Sequence, residues 1–199
     1  MKSNVCKIEK GTKDLELILK ESERVAEYNG LTHKQSLQLR LLCEEIDGML
    51  PNIIDDFEGE IWIEYEDGVC KVNVSIEIPE LDIDEKDALI AVAKNKKNAS
   101  AVGIAGKIRD AIENIFLNHA AMDAFKMSSQ VFRMSAAYSE GVDYSYLWSL
   151  DEYRNTVKKE EQTAEWDELE KSVIASVADD VIVGVKGKNA NIVIVKKFA

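Results

Sequence analysis

Over residues 69–78 apolar and polar side chains alternate, with Val72, Val74, Ile76 and Ile78 on one side and Lys71, Asn73, Ser75 and Glu77 on the other. A period of two sustained over this length specifies a β-strand with one face against a core and the other face polar. Residues 60–65 read as its partner strand, and Glu66-Asp67-Gly68 between them supplies the turn of a hairpin. Pro79 ends the run, because a residue without an N–H cannot donate to the ladder. A one-sided hairpin must be covered by something, and the preceding residues offer two amphipathic helices.

In residues 14–28, Leu15, Ile18, Leu19, Ser22, Val25 and Ala26 recur at helical spacing, and Asn29-Gly30 ends the helix. A second helix opens at Thr32, which forms a capping box with Gln35. Its apolar stripe is Leu39, Leu42, Ile46, Met49 and Ile53, and Pro51 is expected to kink it near its end. Residues 4–10 alternate weakly as a first strand. Downstream, the pattern predicts a short helix over 84–94, a longer one over 100–118, and a helix carrying Trp166, Leu169, Val173, Ile174 and Val177. The chain then closes with strands over 181–185 and 191–197, joined by a turn over 186–189. The simplest way to bury these faces is an α/β two-layer sandwich, a mixed and mostly antiparallel sheet with helices on one face. Residues 1–118 and 167–199 are expected to form it. Residues 119–166 hold most of the aromatic side chains and Met122, Met127 and Met134, and read as a mainly helical insertion with its own small core. Within it Ser149 and Glu152 make a second capping box, for a helix over 150–161.

Charge and cysteine usage exclude several classes. The net charge of −12 argues against nucleic acid, whose phosphates require clustered Lys and Arg. No stretch approaches the roughly 18 apolar residues of a membrane span. Met1-Lys2-Ser3-Asn4 leads into charged sequence rather than a signal-peptide core. Cys6, Cys43 and Cys70 are odd in number and widely spaced, so neither a disulfide framework nor a zinc site is expected, and no metal ligands are assigned. A cytoplasmic protein with reduced thiols is the expectation. His33, in a capping turn, and His119, at a helix end, read as structural.

The second helix with its preceding Gly30-Leu31-Thr32, the hairpin after it, and the closing segment from Ala178-Asp179-Asp180 to Phe198 resemble the anti-sigma-factor serine kinases of the GHKL (Bergerat-fold) ATPases. Trp148-Ser149-Leu150-Asp151-Glu152-Tyr153-Arg154 and Gly106-Lys107-Ile108-Arg109-Asp110 resemble segments of bacterial relatives labelled ATP-binding. That resemblance implies a carboxylate on the second helix, Glu45 with Glu44 beside it, as the catalytic candidate. It also implies an oxygen ligand for magnesium one turn on, but Gly48 and Met49 stand there, and neither offers oxygen. Asn52 lies two turns from Glu45. The family's adenine box aligns with Glu77-Ile78-Pro79-Glu80-Leu81, where Glu77 keeps an acceptor while Pro79 and Leu81 replace glycines. Its phosphate box aligns with Gly103-Ile104-Ala105-Gly106-Lys107, in a region where Lys97 and Arg109 add positive charge. The same glycines equally suit a helix packed closely on its neighbours.

These departures imply a GHKL-like regulatory domain with a degenerate ATP site that works by binding another protein. By resemblance the partner is a sigma factor or an anti-sigma antagonist, and a homodimer is implied as well. Tyr146, Trp148 and Tyr153 are the candidate partner surface, since aromatic side chains are enriched at interfaces. The competing expectation is an ATP-dependent serine kinase or ATPase with a rearranged site. Glu45 would then act as the base, Glu77 would meet adenine, and Gly103, Gly106, Lys107 and Lys97 would hold the phosphates of ATP with Mg.

Overall fold

The computed structural model describes residues 1–9, 15–54, 57–77, 103–117, 146–157, 172–186 and 189–198. In chain order these form β1 (Cys6–Glu9), α1 (Leu15–Tyr28), α2 (His33–Ile53), β2 (Glu58–Glu66), β3 (Val69–Glu77), α3 (Gly103–Leu117), β4 (Tyr146–Ser149), α4 (Leu150–Val157), α5 (Val173–Val177), β5 (Asp180–Lys186) and β6 (Asn189–Lys197). The strands make one open sheet in the order β1-β2-β3-β6-β5-β4, and every neighbouring pair is antiparallel. The expected helix over 84–94, Lys97, and the turn residues 187 and 188 lie outside the described residues.

The hairpin is longer than the alternation alone indicates. Asp67 (φ 49°) and Gly68 (φ 81°) both take positive φ, the conformation of a two-residue turn whose twist matches the flanking strands. Glu66 is thereby freed to pair with Val69, and the ladder runs from there to Glu58 opposite Glu77. The face of β3 carrying Cys70, Val72, Val74 and Ile76 continues sideways into Ile61 and Ile63 of β2, Ile192 and Ile194 of β6, and Val181, Val183 and Val185 of β5.

Helices cover that face. α2 presents Leu39, Leu42, Ile46 and Leu50, all fully buried, and packs on β3 and on α1, α3 and α5. Ile18 and Val25 of α1, Ile104 and Ile108 of α3, and Ile174 of α5 join the same core. Each fully buried Leu or Ile of this kind contributes about 1.5–3 kcal/mol. The two-layer α/β sandwich is therefore held by one continuous core. β5 and β6 also carry apolar side chains in places on the opposite face, where Ile182 and Val195 are buried among polar neighbours such as Asp180 and Asn191.

The helix ends follow the expected chemistry. At the end of α1 the Gly30 N–H donates to Glu27 O (3.1 Å) and the Leu31 N–H to Ala26 O (2.9 Å), so the last carbonyls are satisfied. At the start of α2 the Gln35 N–H donates to Thr32 Oγ1 (3.4 Å) while the Thr32 N–H donates to Gln35 Oε1 (2.8 Å). α2 runs through Pro51 to Ile53, and the Ile54 N–H closes its final turn on Leu50 O at 3.1 Å.

Residues 146–157 correct the sequence reading. They were expected inside an insertion with a separate core, but β4 pairs with β5 from Tyr146↔Val185 to Ser149↔Ile182 as the sheet's last strand. Leu150, the first residue of α4, is fully buried in the main core. A four-residue strand is too short to display its period, and its partner lies more than thirty residues downstream. The rest of 119–166 lies outside the described residues.

Candidate functional site

The carboxylates of α2 separate onto two flanks. Arg40 Nε donates to Glu44 Oε1 at 3.1 Å, and Arg40 Nη1 also bonds Glu23 of α1, so Glu44 belongs to an ion network that ties the two helices together. Glu45 stands about 100° further round the helix, on the flank turned away from that network. One turn beyond, Met49 is buried in the core and Gly48 is exposed, with nothing within 4 Å of the position a Cβ would take. The Asn52 side chain donates to Gly48 O at 3.2 Å. Since Gly48 is a helix-interior glycine with open space beside it, Gly48→Ala is expected to stabilise the protein by about 0.5–1 kcal/mol. Thermal unfolding checks this as a rise of about 1–4 °C.

Glu77 is the last residue of β3 and points to the face opposite the helices, as its place in the alternation requires. It lines a cleft of about 500 Å³ at one end of that face. Register builds this cleft. Glu9, Glu58, Glu77 and Asn189 stand directly opposite one another across β1, β2, β3 and β6, and Lys7, Glu60 and Ser75 form the next row. Three carboxylates in one cross-strand row repel one another, an arrangement that lowers stability. Sequence reading missed the cleft, because Glu9 and Glu58 lie far apart in the chain and only their shared register with Glu77 brings them together.

The start of α3 gathers another set. Gly103 has φ 74°, Gly106 is buried, and Lys107 Nζ lies 5.2 Å from the centroid of the Tyr153 ring. The Tyr153 and Trp148 rings sit 6.1 Å apart at 43°. Both are half-buried and pack against the core. Lys107 of the phosphate box therefore meets Tyr153, and through it Trp148, while Tyr146 stands at the start of β4, paired with Val185. Glu45 lies in the helix layer and Glu77 on the far side of the sheet, so the two glutamates are not brought together.

The junction of β4, α4 and β5 is organised by Asp180, which is 8% exposed. Its carboxylate accepts from Ser149 Oγ (3.0 and 3.1 Å), the Asp151 N–H (3.0 Å) and the Val181 N–H (2.8 Å). The Glu152 N–H donates to Ser149 Oγ at 3.3 Å, as the expected cap of α4 requires. Partial burial, together with the nearby Asp180 and Asp151 charges, pushes the Glu152 carboxyl above its ordinary value of 4.5. A raised carboxyl favours the folded state when protonated. That contribution is complete below about pH 4.5 and is lost as pH rises through the folded-state value. Glu152→Gln is therefore expected to melt higher than the parent at pH 7, with the gap closing by pH 4. A gap that stays constant over this range would refute the assignment.

The three cysteines are buried thiols, none of them in a disulfide. Burial pushes the Cys70 thiol up to about 12. Burial, with the neighbouring Cys70, Glu44 and Cys6 adding to it, pushes Cys43 up as well. Such thiols do not supply a thiolate nucleophile at neutral pH. Among the described residues no group of three or more His, Cys, Asp or Glu side chains is arranged to hold a metal ion, and no helix is long and apolar enough to cross a membrane. No protein-family model, curated protein or solved structure matches the chain.

Proposed function

We propose that this chain is a GHKL-like regulatory domain that acts by binding another protein rather than by turning over nucleotide. The observation that carries the reading is the separation of Glu45 and Glu77 by the sheet, since an ATP site of the family's kind needs both on one ligand. Met49 in the core and Gly48 on the surface, at the positions of the magnesium ligand, point the same way. The residues present do not fit ATP with Mg in that pose. The acidic cleft at Glu9, Glu58, Glu60 and Glu77 suits a partner that presents a basic segment, because facing carboxylates are relieved by cations. By the family resemblance that partner is a sigma factor or an anti-sigma antagonist. Three buried thiols without a disulfide accord with a cytoplasmic, reducing setting.

A second reading, an ATP-binding serine kinase or ATPase with a rearranged site, is favoured by one feature. Gly103 with positive φ, buried Gly106 and Lys107 cluster at the start of α3. One set of measurements separates the two. Glu58→Lys with Glu77→Lys is expected to abolish salt-sensitive capture of the partner while leaving the melting temperature at or above that of the parent. Undiminished capture would rule out the cleft. In parallel, millimolar Mg-ATP is expected to leave thermal unfolding unchanged. A ligand at about 100 times its dissociation constant adds about 2.7 kcal/mol, a rise of about 5–11 °C, and such a rise would favour the second reading.

A further inference from the structure

We draw no further inference here: the strongest candidate, the exposed apolar side chains Leu17 and Tyr28 on α1 and Leu37 in the first turns of α2, carries nothing because nothing in the structure shows what covers them.

Discussion

Asp180→Ala is expected to unfold about 6–12 °C below the parent protein. The carboxylate accepts from the Ser149 hydroxyl and from the backbone N–H groups of Asp151 and Val181, inside a junction where Asp180 is 8% exposed. Hydrogen bonds to a charged acceptor contribute about 1.5–3 kcal/mol, and a donor left unsatisfied in a buried place adds its own desolvation cost. A combined loss of about 3 kcal/mol in a chain of this length gives the stated shift. Ser149→Ala removes one of these donors and should cost less. The double variant should cost less than the sum of the two, because both changes break the same bond. Strict additivity, or a midpoint within 2 °C of the parent, would show that Asp180 does not anchor α4 to the sheet.

Gly59→Ala is the second large effect, and its opposite is available in the same molecule. A Cβ at Gly59 would stand 2.3 Å from the Ser75 carbonyl oxygen and 3.1 Å from Ile76 Cα. Both obstacles are backbone of the neighbouring strand, so no side chain can swing aside. Either β2 or β3 must move, at a cost of about 2–3 kcal/mol. The expected fall in melting temperature is about 4–12 °C. The identical substitution at Gly48, in open space, is expected to raise it. If both variants move in the same direction, the close approach of β2 and β3 at Gly59 is not what sets its tolerance.

How far the sequence foretells this molecule depends on the distance over which each feature is decided. The alternation of β3, the apolar stripe of α2 and the Thr32–Gln35 cap are local, and each is found where the pattern places it. The polar side assigned to Glu77 was legible too, since it follows Lys71, Asn73 and Ser75 in the period. The separation of Glu77 from Glu45 was not, because it depends on how α2 is laid against a strand that it does not adjoin in sequence. β4 escaped for a related reason, as four residues become a strand only once β5 is there to pair with them. The role of Asp180 is equally remote, since its partners Ser149 and Asp151 lie some thirty residues upstream. The acidic cleft depends on three separate strands coming into register.

The strand order has a consequence for how the molecule comes together. β3 and β6 pair over nine positions although they stand more than a hundred residues apart, and this ladder is the seam between two three-stranded halves. One half, β1-β2-β3 with α1 and α2, is drawn from the first 77 residues of the chain. It then holds an apolar, unpaired β3 edge until β6 arrives. Closing the seam brings distant segments together before any of its hydrogen bonds can form, which makes it the natural slow step of folding. Until that step is complete the open β3 edge is a template on which another chain can pair. A destabilised junction at Asp180, by delaying the half that carries β6, would prolong the exposure.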